Sequence, residues 1–149
     1  SGVDIVGWKD GRLLLCREFR MGVNHFVYNM PAGHIDQGEN VEECAGRELF
    51  EETGLSLKKV YQVLPPSYAS PDLSDSSAWV VFAEVDGELP GGVSEHTEAD
   101  EWIHPGLYSR EEVAKLLREE RFSGRAQMAA YFFAAGFPMN TGKLSERHL

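Results

Sequence analysis

The chain has 149 residues, with 14 Lys and Arg against 24 Asp and Glu, a formal net charge of −10, and 42% apolar content. That fits one globular domain with a core large enough to need neither disulfides nor a structural metal. The acid excess argues against nonspecific binding to nucleic acid or anionic membrane, and no apolar run approaches the roughly 18 residues of a membrane span. The start, SGVDIVGWKDG, lacks the basic and apolar regions of a signal peptide, so a cytoplasmic protein is expected, with Cys16 and Cys44 buried and reduced. The five histidines, His25, His34, His96, His104 and His148, show no paired metal-ligand spacing and give zinc little support. An anionic partner would need a cationic mediator, most simply a bound metal.

Val3 to Trp8 and Arg12 to Arg17 read as strands split by Lys9-Asp10-Gly11, and Asp-Gly between apolar runs marks a hairpin. Residues 21–38 read as loops and short strands. Residues 40–53 predict a helix, with Asn40 as N-cap, Glu42 and Glu43 in the first turn and Gly54 at the stop. Leu57 to Leu64 predicts a strand, and residues 65–77, PPSYASPDLSDSS, a turn-rich loop. Ala78 to Val85 is apolar on both parities except Glu84, as in a strand covered on both faces. An acidic loop over 86–100 leads to a short strand at Glu101 to His104. Ser109-x-x-Glu112 is a capping box opening a helix to about Arg121, and Ser123 to Ala135 predicts a second helix, stopped by Gly136 and Pro138. Residues 1–136 read as one domain and 137–149 as a tail. Without regular βαβ alternation, a mixed sheet between helical layers is expected.

The informative segment is Gly33 to Leu55, GHIDQGENVEECAGRELFEETGL. On a helix turning about 100° per residue, with Glu48 at zero, Glu52 falls near about +40° and Glu51 near about −60°. Val41, Cys44 and Ala45 share that arc, so the carboxylates prolong the apolar stripe instead of opposing it. A solvated acidic face supported by pairs with Arg47 is the plain alternative. It leaves like charges directed at the protein with no nearby helix cation to pair them, a conflict that a divalent cation resolves; clustered oxygens suit Mg²⁺ or Mn²⁺. Gly46 costs about 1 kcal/mol relative to Ala in mid-helix, with no functional account.

Gly33, then Glu39, then Arg47-Glu48-Leu49-Phe50-Glu51-Glu52-Thr53-Gly54-Leu55 match the Nudix box, G-x5-E-x7-R-E-U-x-E-E-x-G-U, at every defined position, where U is bulky and apolar. The chain therefore resembles the Nudix hydrolases. The resemblance implies an α/β/α sandwich with a mixed sheet and Mg²⁺-dependent cleavage of a nucleoside diphosphate linked to another moiety. Carried over by position, Glu48 and Glu52 would bind metal with the backbone carbonyl of Ala32, and Glu51 would bind or orient a metal or its water. Arg47 would position the glutamates, Glu39 would support the loop, and Gly33 and Gly54 would permit the turns around the helix.

Outside the box, several segments resemble the ADP-ribose pyrophosphatase branch. Arg17-Glu18-Phe19-Arg20 is similar to its R-[EQ]-[YF]-R, FVYNMPAG (Phe26 to Gly33) to its W-x-Y-E-x-P-A-G, and Ser70 to Asp75 to its S-P-G-x-[ST]-[DE], with Pro71 17 residues after Gly54. The resemblance makes Arg20, Arg17, Phe26, Tyr28 and Pro71 substrate-binding candidates, with Arg20 as a phosphate-binding guanidinium. Asn29, Asp72 and Ser76 depart from the pattern. Members of the branch usually carry an N-terminal strand-rich extension that helps form the dimer and the nucleoside pocket; this chain begins at the first sheet strand. The pattern of the NADH-cleaving branch is missing from residues 56–80.

Hydrolysis needs a base for the attacking water. In the resembled branch it comes from an acidic loop, here GGVSEHTEADE (Gly91 to Glu101), with Glu98 first and Glu95 second, set against an ordinary solvated acidic loop. The expected activity is hydrolysis of ADP-ribose to AMP and ribose 5-phosphate. The alternatives are another nucleotide sugar or nucleotide as substrate, or a Nudix-like module that binds a nucleotide without cleaving it. Phe50, opposite the carboxylates on the wheel, marks a surface for a homodimer, unless the C-terminal helices cover it.

Overall fold

The computed structural model describes residues 1–90 and 103–136. The first two strands, β1 (Gly2–Lys9) and β2 (Arg12–Arg20), meet in the expected hairpin. Asp10 and Gly11 both take positive φ, 50° and 72°, the backbone of a two-residue turn that suits Asp-Gly. β1 and β2 share only two register pairs, Trp8 with Leu13 and Lys9 with Arg12, and then diverge. The chain re-enters beside each: β3 (His25–Asn29) pairs with β2, and β4 (Ala32–His34) pairs with β1. Met30 and Pro31, both buried, lie between these short strands. This divergence builds the site, because it leaves the β4 backbone open on the side away from β1.

Next come helix α1 (Val41–Thr53) and the strands β5 (Ser56–Tyr68), β6 (Ser77–Asp86) and β7 (Ile103–Tyr108). Helices α2 (Arg110–Glu119) and α3 (Gly124–Ala134) follow. The mixed sheet runs β3-β2-β1-β6-β5, with β4 on β1 and β7 on β2; β6 is parallel to β1, and the other pairs are antiparallel. Strand alternation divides the core. Val3, Ile5, Leu14, Val81 and Val85 face Cys44, Ala45 and Leu49 of α1. Val6, Trp8, Leu13 and Leu15 face Val113, Ala126, Ala130 and Phe133 of α2 and α3. Helices therefore cover both faces, an α/β/α sandwich, and both cysteines are buried and free.

The helix starts follow their caps: Asn40 accepts from Glu43 N, and the Ser109–Glu112 capping box is formed in both directions. Ser123 caps differently from α2's serine. Its hydroxyl donates to Asn29 Oδ1 at 2.6 Å, which gives Asn29 a local role in tying α3 to the end of β3. The loop expected from residue 65 begins later, since β5 runs to Tyr68 through Pro65 and Pro66 with register shifts. β5 is an edge strand, and its two prolines fall at the register shift between Leu64 and Ser67, where the ladder to β6 is interrupted. The strand expected at 101–104 is β7, placed at 103–108, and its Pro105 also lies on a strand that, among the described residues, pairs with β2 alone. No helix among the described residues is long and apolar enough to cross a membrane.

Candidate active site

Helix α1 buries Cys44, Ala45, Leu49 and Thr53 and ends on Gly54, whose φ of 77° is left-handed and suits glycine. Glu48 and Glu52 flank that buried stripe, as the wheel predicts. Glu48 retains 14% of its side-chain exposure, whereas Glu51 retains 51%. Glu51 thus faces solvent and stands apart from the other two. Arg47, expected to position the glutamates, supplies the helix cation that the wheel alone left out of reach of Glu48. Its Nη1 donates to Glu48 Oε1 at 2.8 Å and to Glu51 Oε2 at 3.3 Å. The wheel gives direction, but an arginine fork has the reach to serve neighbours on two sides.

Arg47 also anchors the approach to the helix. Nε and Nη2 donate to the two Glu39 oxygens at 2.7 and 2.9 Å, and Nη2 donates to His34 O at 2.9 Å. Glu39 Oε1 accepts Asp36 N as well, and these bonds hold its carboxyl down at about 2. Arg47 and Glu39 therefore form a clamp between β4, the loop before α1, and Glu48.

The β4 side of the site follows from its pairing. Ile5 N bonds Pro31 O and Ile35 N bonds Ser1 O, so the intervening even residues, Ala32 and His34, turn their N–H and C=O groups away from β1. They turn toward α1: Ala32 N donates to Glu52 Oε2 at 3.1 Å, and His34 O receives Arg47. Gly33 is explained by close approach. A Cβ there would lie 2.0 Å from Glu48 Cδ, so only glycine lets that carboxylate lie against β4. Gly33 has no positive φ, which corrects the expectation that it serves a turn.

Burial pushes the Glu52 carboxyl up to about 8, with Glu18 and Glu48 raising it further and the Ala32 N–H and Arg20 opposing. Partial burial likewise raises Glu48 against the pull of Arg47. Among the described residues no three His, Cys, Asp or Glu side chains converge as a ready-made metal cage. Two carboxylates and the Ala32 backbone are nevertheless gathered, and Glu52, half-buried, accepts the Ala32 N–H. An oxygen donor set with an undercompensated carboxylate fits a hard divalent cation.

The structure adds a carboxylate that the sequence reading left out of the site. Glu18 is 8% exposed and pairs through Oε2 with Arg20 Nη2 at 3.0 Å. Alternation puts Glu18 and Arg20 on the α1 face with Leu14 and Cys16. The signal in the sequence was a single acid on the inward parity of LLLCREFR. Arg17 lies on the opposite face, its guanidinium carbon 3.7 Å from the Phe26 ring centroid. Tyr28 pairs with Arg17, is 7% exposed, and packs on Tyr108 and Phe122. It packs in the core on the α2 and α3 side of the sheet; the motif likeness fixed its position but not its face. Pro71 sits in an exposed turn where Leu73 N and Ser74 N bond Ser70 O. Glu95 and Glu98 lie outside the described residues.

Comparisons with known proteins identify the family. The NUDIX domain matches residues 1–131. ADP-ribose pyrophosphatase of Saccharomyces cerevisiae is 38% identical over 99 residues, covering 60% of this chain and 42% of that protein. ADP-ribose pyrophosphatase of Escherichia coli (strain K12) is 31% identical over 105 residues, covering 70% of this chain and 50% of that protein. A crystal structure of an ADP compounds hydrolase superposes with a TM-score of 0.71 at 25% identity, over 96% of this chain and 75% of that one. The chain spans about half the length of the relatives it matches. Nudix hydrolases generally use a divalent metal and act on small nucleoside diphosphate substrates. Because the match runs from β1 into α3, through the helix and the β4 strand that gather these carboxylates, the chain belongs to the NUDIX domain family.

Proposed function

We propose that this chain is a Mg²⁺-dependent pyrophosphohydrolase, with Mn²⁺ as a possible substitute, that cleaves ADP-ribose to AMP and ribose 5-phosphate. The observation that carries the reading is the convergence of α1 on β4: Glu48 against Gly33, and Glu52 hydrogen-bonded to Ala32 N–H. Glu48, Glu52 and the Ala32 carbonyl would hold the cation. When bound, it offsets charge on the diphosphate and acidifies water. The chain's own residues do the rest. Arg47 and Glu39 fix Glu48 on the helix. Arg20, 56% exposed and tethered at the α1 face, offers guanidinium donors to a phosphate oxygen. An acid from the 91–101 segment, Glu98 before Glu95, takes the proton of the attacking water, with Glu51 next in order. The ADP-ribose pyrophosphatases among the relatives support the substrate.

The two buried free thiols support work in the cytoplasm. Half-exposed Phe50 on the outer side of α1 supports a homodimer, which sedimentation at micromolar concentration tests. The decisive activity test is turnover of ADP-ribose, ADP-glucose, GDP-mannose, NADH, diadenosine polyphosphates and 8-oxo-dGTP with Mg²⁺. Preferred release of AMP from ADP-ribose supports the reading. An inert ADP-ribose with turnover of a nucleoside triphosphate removes the substrate assignment, and binding without any turnover leaves a nucleotide-binding module.

A further inference from the structure

We infer that Glu18 is a positioning residue that holds the Arg20 guanidinium at the edge of the carboxylate site, ready for the diphosphate; this rests on the pyrophosphohydrolase reading above. Arg20 is the last residue of β2 and is 56% exposed, and the contact found for its guanidinium is Glu18 Oε2, 3.0 Å from Nη2. An exposed arginine at a strand end samples many rotamers, and an anion that binds it must restrict them. Fixing one Nη on a buried carboxylate removes much of that cost in advance and leaves the remaining N–H groups of the fork to turn outward.

Burying the Glu18 carboxylate carries a desolvation cost. Glu18 is 8% exposed on a strand whose neighbours on the same face, Leu14 and Cys16, are fully buried. An apolar side chain there would pack without desolvating a charge. Glu18 also lies close enough to Glu52 for the two carboxylates to repel. A partly exposed ion pair repays little of this as stability. The arrangement is intelligible if Glu18 serves the guanidinium. It holds Arg20 by an ion pair on the same strand face, near enough for the guanidinium's charge to act on Glu52.

The test uses Glu18→Leu and Glu18→Ala, which remove the acceptor with and without its volume, Glu18→Gln, which keeps an acceptor oxygen, Arg20→Ala, and the Glu18→Leu/Arg20→Ala double variant. Melting curves select the truncation that keeps its fold. Two readouts are taken: kcat and KM for ADP-ribose with Mg²⁺, and the Arg20 Nε–H resonance of the substrate-free protein by ¹⁵N NMR. Losing a charged hydrogen bond that organises binding predicts a KM raised about 10-fold, with kcat changed less than about 3-fold. Glu18→Gln should recover most of that loss, and the double variant should match Arg20→Ala alone, because Glu18 acts through Arg20. The Arg20 resonance should move toward its random-coil position in Glu18→Leu. Multiplying effects in the double variant, or an unmoved Arg20 resonance, would overturn the inference. If wild-type protein leaves ADP-ribose intact, the functional reading fails by itself, and the resonance still decides the tether.

Discussion

Glu52→Gln separates the cost of burying this carboxyl from the work it does with a cation. In the metal-free protein, burial raises the group from 4.5 to about 8. A folded-state value above the unfolded one means that the native state holds the proton more tightly. Its contribution to stability is complete below about pH 4.5 and is lost as pH rises toward 8. At about 1.4 kcal/mol per pKa unit, the upper bound is about 5 kcal/mol, and partial solvation brings the working figure to about 3 kcal/mol. Glutamine keeps an oxygen for the Ala32 N–H but never ionises. With about 2–4 °C per kcal/mol for a domain of this size, Glu52→Gln should melt roughly 6–12 °C above wild type near pH 9 in chelator. The gap should close by about pH 5. Added Mg²⁺ should reverse the order, stabilising wild type and leaving the variant unmoved, while turnover falls by several orders of magnitude. Scanning calorimetry across this pH range, with and without Mg²⁺, measures all of it. Equal melting temperatures near pH 9 would refute the burial argument, and near-normal turnover in the variant would refute the ligand assignment.

Other outcomes follow from single distances. Gly33→Ala should displace the Glu48 carboxylate, since the new Cβ would lie 2.0 Å from Cδ; turnover should fall at least about 100-fold with little change in melting temperature, as steady-state kinetics and calorimetry will show. Gly46→Ala should stabilise the protein by about 1 kcal/mol in urea unfolding with activity retained, because the nearest atom to its Cβ is Leu57 Cδ1 at an ordinary 3.6 Å. Glu98→Gln should lose about 10²–10⁴-fold in turnover with Mn²⁺ affinity little changed, and Glu95→Gln should lose less. A larger loss in Glu95→Gln exchanges their roles, and no loss in either sends the search to Glu51.

Much of the fold is legible where local chemistry and long-range packing agree. Asp10-Gly11, the Asn40 cap and the Ser109–Glu112 box each specify a backbone geometry by themselves, and each is realised. Pro65 and Pro66 read as a loop because the register shift that accommodates them in β5 is a property of the finished sheet. The same limit governs the site. The stripe of Glu48 and Glu52 is written in the helix period, but its partner surface is not. That surface depends on β1 and β2 separating after two pairs so that Ala32 and His34 can turn their backbone groups toward α1. Tyr28 and Glu18 show the corresponding limit for side chains. They lie on strands paired in antiparallel register, and only that register shows that one belongs to the core and the other faces Glu52.

The central claim is that Glu48, Glu52 and the Ala32 carbonyl form one divalent-cation site. Anomalous diffraction from crystals equilibrated with Mn²⁺ tests it without reference to substrate. The account predicts a strong peak bounded by these three residues, about 2.0–2.3 Å from their oxygens, and its loss in Glu52→Gln. A peak held elsewhere, or none beside Glu48 and Glu52 at saturating Mn²⁺, would contradict it.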